Sequence, residues 1–514
     1  MKSPPALLLL TFGLTAFAPL AFPEPLTVEA LAERILSADS TVAIAEQSLR
    51  AAMSGYRGIV AQALPQISAG SGYALQYTPE VTSIAQQTTP PYFIMEEYRD
   101  KGSQYITTSL SLSQILPTGG SLSLSAENKM DVQTGELESG GGFSAMEPEF
   151  SQSPKLSLAV KQPMFLNRKA LDWELFPATV RKARIGYLKE QAAGTDARNR
   201  ALAQGFSLFY TVIELRRSLT VAGMSRELTA ARLRNLEQSY RLGAASETDV
   251  WEMRIAAGGE EEQALELRYR LAQAEMSLSQ SLGVDSLEAF ELEDGVPRLS
   301  FPHTLEQAGA EALTAHPLIV QNGLSLEEKS IDRILGGQAH AANVSLAFSL
   351  APRYPNERTD TSFGGSISEL FGTTAGIDYS LSLGASIPLY SGGKKAADEQ
   401  ASLALEAIAA QNLSIRRKAV ASDVRSLFIK KENLEAKARL LEDNAELARR
   451  RLQMEEELLA LGKSTDLDVL SRQIELERKR IEAWRARADL YLDILELYRS
   501  MGRELREIVK GQQR

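Results

Sequence analysis

Gly243-Ala-Ala-Ser-Glu-Thr-Asp249-Val250 and Gly462-Lys-Ser-Thr-Asp-Leu-Asp468-Val469 are two versions of one turn in a chain of 514 residues. Each follows a long helical pattern ending in Leu-Gly, and each opens a second long helical pattern through Ser, Thr and Asp residues suited to capping. The pattern predicts a sharp helical hairpin at both places.

The match extends outward. Thr27-Val28-Glu29-Ala30 answers Thr304-Leu305-Glu306-Gln307. At the same offset of about 277 residues, Leu36 meets Leu313, Val42 meets Ile319 and Ile67 meets Val344. Gln162-Pro163-Met164-Phe165 then answers Ile387-Pro388-Leu389-Tyr390, with the offset down to about 225. Anchors in the same order predict an internal duplication, residues 24–300 and 301–514, with some fifty extra residues in the strand region of the first copy.

Formal charge is −10 and the charges are interspersed along the helices, which leaves no basic footprint for nucleic acid. Cysteine is absent, so there is no disulfide, thiolate metal site or lipid-attachment cysteine. Lys2, the apolar run Ala6 to Leu14 and the small residues around Ala16-Phe17-Ala18 predict a secretory signal within residues 1–23. Beyond it no stretch approaches the ~20 apolar residues of a membrane helix. Any membrane crossing must therefore be made by strands.

From Leu26 to about Ala63 the apolar spacing is helical, with Thr27 as a cap and Pro65 at the end. The period then becomes two in Ile67 to Tyr77, Ile106 to Ile115, Ser121 to Ala126 and Lys155 to Val160, within a strand region of about 66–163. Residues 78–103 and about 131–152 read as polar loops, and Pro117-Thr-Gly-Gly120 as a tight turn. The second half offers two strands within 343–388: Val344 to Leu350, and Ile377 to Ile387 with Tyr379, Leu381, Leu383 and Ala385 on one face. Apolar residues alternating with Ser and Gly suit a strand between lipid and water, although a soluble β-sandwich shows the same alternation.

Gly393 to Leu461 contains no proline, and Leu413, Val420, Leu427, Leu434, Leu441 and Ala448 recur every seventh residue, a coiled-coil seam. The corresponding run from about Ala178 to Leu242 is less regular and a little shorter. Return helices are expected from Thr248 to Leu282 and from Thr465 to Val509. Trp173-Glu-Leu-Phe-Pro177 reads as an interfacial anchor or a kink where the long helix begins.

The signal segment, the duplicated helix–strand–strand–helix–hairpin–helix order, the Pro388-Leu-Tyr-Ser-Gly-Gly393 junction and the paired Gly-to-Asp-Val turns together resemble the TolC-like outer-membrane efflux proteins. The resemblance implies a mainly α protein with a membrane β part: a homotrimer whose strands close one transmembrane β-barrel and whose coiled-coil helices form a hollow periplasmic α-barrel. Four strands per copy and twelve in all are favoured; the hairpin around Pro117 to Gly120 would make six and eighteen if it joins the wall. The resemblance places the hairpins at the inner end, where Asp249, Asp468 and Thr248 would ring a periplasmic gate. A carboxylate ring there would favour cations. The same Asp residues equally suit a helix cap. Leu242, Gly243, Ser246, Leu461, Gly462 and Ser464 would form the tip surface for a periplasmic adaptor. A second family aspartate is Ser471 here and a basic gate residue is Ser464, so the family's gating network does not transfer, although Arg241, Lys463 or Arg472 offer substitutes.

The implied function is the exit duct of a tripartite efflux pump or type I secretion system, in the outer membrane, partnered by an adaptor, an inner-membrane pump and outer-membrane lipid. A periplasmic coiled-coil scaffold is the competing reading, but it gives the alternating strands no purpose. Three histidines (His303, His316, His340) and no clustered acid–base or ligand spacing predict no catalytic residue, metal or cofactor. His316, before Pro317, suits solvent exposure or local capping.

Overall fold

A computed structural model describes residues 24–86, 94–116, 118–139, 142–145, 149–166, 169–170, 175–288, 290–339, 343–353, 376–386 and 389–511. The expected signal segment, Pro117, Trp173 and the Ile387-Pro388 pair lie outside them. In chain order the elements are β1 (Glu24–Leu26), α1 (Val28–Ala38), α2 (Ser40–Ala61), β2 (Gln66–Gln86), β3 (Ile94–Ile115), β4 (Ser121–Ser139), β5 (Gly142–Ala145), β6 (Glu149–Leu166), β7 (Lys169–Ala170), α3 (Leu175–Arg241) and α4 (Glu247–Leu282). They continue with β8 (Phe290–Leu292), α5 (Leu305–Ala315), α6 (Pro317–Ala339), β9 (Asn343–Arg353), β10 (Gly376–Ser386), α7 (Lys394–Ala460), α8 (Asp466–Ser500) and α9 (Leu505–Lys510).

The chain divides into two compact units, and each draws on both halves of the sequence. One comprises residues 50–189 and 323–412 and contains the large sheet. Its strands follow the order β10-β9-β6-β4-β3-β2, all antiparallel, with β5 and β7 as side pairings. Six strands rather than four make this path, because the hairpin joining β3 to β4 lies inside the sheet. Residues 78–86 and 94–103, expected as loop, continue β2 and β3, and β4 runs on to Ser139. Their Thr, Gln and acidic residues mask the alternation, yet the backbone pairing Thr78↔Lys101 to Gln86↔Ile94 extends through them. Pro163 sits in the central strand β6 at a register shift next to Phe165, a bulge of the kind at which a strand tolerates proline. Helical segments in this unit are joined by Lys182–Asp332 (2.6 Å) and Arg333–Glu406 (2.8 Å), partly exposed pairs that contribute little individually.

The other unit comprises residues 1–49, 190–322 and 413–514. Its core gathers Leu31 and Ile35 of α1, Leu202, Phe206, Phe209 and Ile213 of α3, Leu278 of α4, and Tyr491, Ile494, Leu495 and Leu497 of α8, all buried. Each such side chain contributes roughly 1.5–3 kcal/mol by leaving water. Tyr210 packs edge-on against Phe209, Trp484 and Tyr491. The Trp484 indole N–H donates to the Asp294 carbonyl (2.9 Å) and the Tyr498 hydroxyl to the Ser300 carbonyl (3.1 Å), strapping the segment after β8 onto α8. Buried Asn199 donates to the Arg503 carbonyl (2.9 Å) and accepts from the Leu505 N–H (3.0 Å), so it satisfies the link between α8 and α9.

Three helical expectations change in detail. The first helical run is two helices, because Asp39 ends α1 and its carboxylate accepts from the Thr41 N–H (2.7 Å) to cap α2. His316 does the same before Pro317, its Nδ1 accepting from the Leu318 N–H (3.2 Å). The ring is buried rather than exposed, and burial pushes its basicity below the ordinary range. The last return helix stops at Ser500, where Gly502 turns left-handed (φ 77°) before α9. Finally, α3 matches α7, each having 67 residues.

The seven-residue seam of α7 is present: Leu413, Val420, Leu434 and Ala448 are buried, with Val424 and Ala438. A second seven-residue stripe on the same helix, Leu440, Leu447 and Met454, is 56–63% exposed, and Leu461 just past the helix end continues it. On α4, Trp251, Ile255, Leu265, Tyr269 and Met276 form another stripe at a/d spacing, 55–74% exposed.

A Cβ on Gly502 would lie 2.2 Å from the Ala315 carbonyl oxygen in a left-handed residue. Gly502→Ala should therefore cost at least about 2 kcal/mol. Thermal unfolding should show a lowered Tm, and an unchanged Tm would contradict this packing.

Candidate functional site: a two-faced sheet and two hairpin tips

Directly paired residues of an antiparallel sheet lie on the same face, so the register sorts every side chain. One row runs Ile67, Leu112, Leu124, Leu158, Leu350, Tyr379 across all six strands. Neighbouring rows on that face add Ala69, Leu110, Ala126 and Leu156, then Leu122, Val160, Phe348 and Leu381. Among the residues with described side chains this face carries no charged group.

The opposite face reads Gln66, Ser113, Ser123, Ala159, Ser349, Ser380 in one row and Ser68, Ser111, Ser125, Ser157 in the next. Hydroxyl pairs bridge strands at Ser68 and Ser111 (2.7 Å), Ser125 and Ser157 (2.6 Å), and Ser349 and Ser380 (2.7 Å). The charged residues Glu127, Lys129, Asp131, Lys155 and Lys161 are all on this face. Lys129 lies 3.7 Å from Asp131 and over the Tyr105 ring (4.2 Å). One face is thus made for hydrocarbon and the other for water. The sequence-expected set Tyr379, Leu381 and Leu383 stands on the apolar face, 67–78% exposed.

The end of the sheet at which β2 begins and β6 stops carries the tight turn Leu116–Ser121, with Leu116 N–H donating to the Gly120 carbonyl (2.8 Å). No Cβ fits on Gly120, because the Lys161 carbonyl lies 2.9 Å from where it would stand.

Both hairpin tips lie in the helical unit and share one construction. Gly243 (φ 73°) and Gly462 (φ 70°) end α3 and α7 in the left-handed conformation that favours glycine. Ala244 N–H donates to the Ser239 carbonyl (2.8 Å) and Lys463 N–H to the Leu458 carbonyl (2.9 Å), closing Schellman turns. Capping boxes then start α4 and α8. Ser246 Oγ accepts from the Asp249 N–H while the Asp249 carboxylate accepts from the Ser246 N–H; Thr465 and Asp468 repeat the pair. These hydrogen bonds hold both carboxyls below the ordinary aspartate range.

Leu242 (84% exposed) and Leu461 (70%) project at the tips, Thr248, Asp249 and Asp468 are exposed, and Val250 and Val469 beside them are buried. The α3 helix packs on α8 through Val221, Leu228 and Ile474, with Leu467 and Leu470 against the same cluster. That packing brings the Arg232 charge to bear on Asp468, a partner that sequence reasoning missed although it sits four residues after buried Leu228 on the same helical face. Of the expected substitutes, Arg472 is the one engaged: it bonds Glu475 (2.9 Å) and approaches Glu455 (3.5 Å), which also accepts from the Ser464 hydroxyl. Among the described residues no group of His, Asp and Glu is placed to hold a metal ion, and no helix is long and apolar enough to cross a membrane.

The chain is mainly helical and bears a sheet with one apolar and one hydroxyl-lined face. Residues 340–503 match the family described as outer membrane efflux protein. The chain shares its fold with VceC, an outer membrane protein of Vibrio cholerae (TM-score 0.57, 15% identity, 92% of this chain and 96% of that one). It also shares it with the CmeC outer membrane channel of Campylobacter jejuni (0.59, 11%, 95% and 89%). A membrane protein from Pseudomonas aeruginosa matches as well (0.60, 15%, 94% and 91%). No curated protein matches by sequence. Residues 340–503 are thus similar to an outer membrane efflux protein domain, and the chain carries the fold of these solved structures.

Because both tip carboxyls are held low in the folded hairpins, their stabilisation is complete above the unfolded aspartate value of about 3.9 and is lost as pH falls through the lower folded value. Protection of the amides at residues 244–249 and 463–468, measured as exchange relative to the unstructured rate at the same pH, should therefore fall below about pH 4. Asp468→Ala should lower it at the second tip already at neutral pH; unaltered protection there would remove the box from the account.

Proposed function

We propose that this chain is the outer-membrane channel subunit of a tripartite efflux pump or type I secretion system, acting as the exit duct, with its sheet in the outer membrane and its helical part in the periplasm. The observation that carries the reading is the six-stranded sheet whose apolar face spans every strand while the outer edges of β2 and β10 have no partner strand among the described residues. An unpaired edge in hydrocarbon costs several kcal/mol per polar group, so such a sheet enters lipid only as part of a closed wall. A homotrimer supplies the closure: β10 of one copy runs antiparallel to β2 of the next, since six strands is an even number. The exposed stripes of α4 and α7 give the helices matching surfaces between copies.

The two halves are read as one duplicated unit, residues 24–300 and 301–514. Supporting this, the breaks at Asp39 and His316 and the caps Thr27 and Thr304 recur at the offset that aligns Ile67 with Val344, and the hairpin construction is the same in both copies. Rings of Asp249 and Asp468, with Thr248 beside the first, guard the inner end. Leu242, Gly243, Ser246, Leu461, Gly462 and Ser464 present the tip to a periplasmic adaptor and, through it, an inner-membrane pump. Capping and gating are compatible, because each exposed carboxylate keeps its charge while it holds its helix start.

The purified mature chain should require detergent, run as a trimer by light scattering and conduct ions in planar bilayers. A soluble, electrically silent monomer would refute the reading. In the conducting trimer, Asp468→Ala should weaken cation preference, and unchanged selectivity would exclude Asp468 from the gate. Leu265→Lys on the α4 stripe should shift the trimer toward monomer while the monomer retains its helical circular dichroism; a trimer of undiminished stability would exclude the stripe from the interface.

A further inference from the structure

We propose that the membrane wall is built from eighteen strands, six from each of three copies, and is wider than the twelve-strand barrel that a duplicated two-strand unit would make. The inference rests on the trimeric channel reading and deepens it. Its basis is the place of the β3–β4 hairpin. In the duplication, β2 corresponds to β9 through Ile67 and Val344, and β6 to β10 through Pro163 and Pro388; β3 and β4 have no counterpart. Their span, Ile94–Ser139, accounts for the fifty or so extra residues of the first half.

An inserted hairpin has two possible fates: a flap over the wall, or part of the wall. Here β3 pairs with β2 on one side and with β4 on the other, and β4 pairs onward with β6 from Ser121↔Lys161 to Gln133↔Glu149. Its side chains also continue both faces in step. Leu110, Leu112, Leu122 and Leu124 extend the apolar rows, and Ser111, Ser113, Ser123 and Ser125 extend the hydroxyl rows. A flap in water has no need of an uninterrupted apolar face.

Adding two antiparallel strands preserves strand alternation, so β2 would still neighbour β6 correctly without the hairpin, and the seam edges of β2 and β10 are the same either way. The insertion thus enlarges the wall without altering how copies join. The shortest of the six strands on the main path, β9 and β10 with 11 residues each, are long enough for a tilted crossing, which takes about 9–11. Barrel diameter grows roughly linearly with strand number, so eighteen strands give about 1.5 times the diameter of twelve, in the range where barrels hold an aqueous channel. The serine rows would line that channel.

Spin labels on single cysteines test this in the trimer reconstituted into phospholipid vesicles. Labels at Leu112→Cys and Leu124→Cys report the apolar face of the hairpin, and labels at Ser111→Cys and Ser125→Cys its hydroxyl face. Leu381→Cys and Ser380→Cys report β10, which belongs to the wall at either strand number. The expected result is oxygen-accessible labels at Leu112, Leu124 and Leu381 and labels accessible to a water-soluble nickel chelate at Ser111, Ser125 and Ser380. Alternation on β10 with chelate access at all four hairpin positions overturns the eighteen-strand wall and leaves the channel reading standing. Absence of alternation on β10 as well overturns both. A density map of the lipid-embedded trimer showing twelve strands overturns the strand number alone.

Discussion

A backbone in hydrocarbon has no water to satisfy its N–H and C=O groups, and that constraint governs the sheet of this protein. A residue row such as Ile67, Leu112, Leu124, Leu158, Leu350 and Tyr379 is stable in water only when covered, yet among the described residues Ile67, Leu124 and Tyr379 are exposed and β10 is exposed along its whole length. Lipid on one face and a water-filled lumen on the other suit the two rows of side chains without further cover. The edges are then the remaining cost. On the proposed reading copies of the same chain close them, and the even strand number lets identical copies meet with correct antiparallel alternation.

The helical unit answers a different constraint. Its core of Phe206, Phe209, Tyr210, Trp484 and Tyr491 is an ordinary buried interior, strapped by hydrogen bonds to Asp294 and Ser300. On α7 the same seven-residue period appears twice on different faces: one seam buried against the chain's own helices, the other exposed. A single two-stranded coiled coil would need one seam. Two seams are what a helix requires when it has neighbours on both sides, as in a closed ring of helices.

How much of this was legible in the sequence depended on how local the determinant is. The hairpin tips were legible because a left-handed glycine and a capping box are written within eight residues. Strand cores around Ile67, Leu110 and Leu381 were legible because alternation is a short-range signal. The ends of β2 and β3 were not: Thr78 to Gln86 and Ile94 to Ser103 lack a clean apolar–polar alternation, and only the backbone pairing reveals them. The same limitation hid the extra hairpin's place in the sheet, because partner strands are a matter of topology rather than composition. The α4 and α7 stripes were missed because periodicity alone does not say which apolar residues the chain itself buries. Arg232 was missed because its nearness to Asp468 depends on how α3 packs against α8.

The tip aspartates show why a structural and a functional assignment need not compete. A carboxylate that caps a helix must be ionised, accept N–H bonds and stand at the helix start, where the dipole favours negative charge. Each of these conditions also holds a fixed negative charge at a defined point facing solvent. Asp249 and Asp468 satisfy them while exposed, and Arg232 on α3 and Arg472 one turn along α8 act on Asp468 through their charge. A turn that fixes its own geometry by an exposed charge needs only symmetry to become a ring of charge. Substituting Asn would retain much of the hydrogen bonding while removing the field, so the cap and the proposed gate are separable by chemistry even though one carboxylate would serve both.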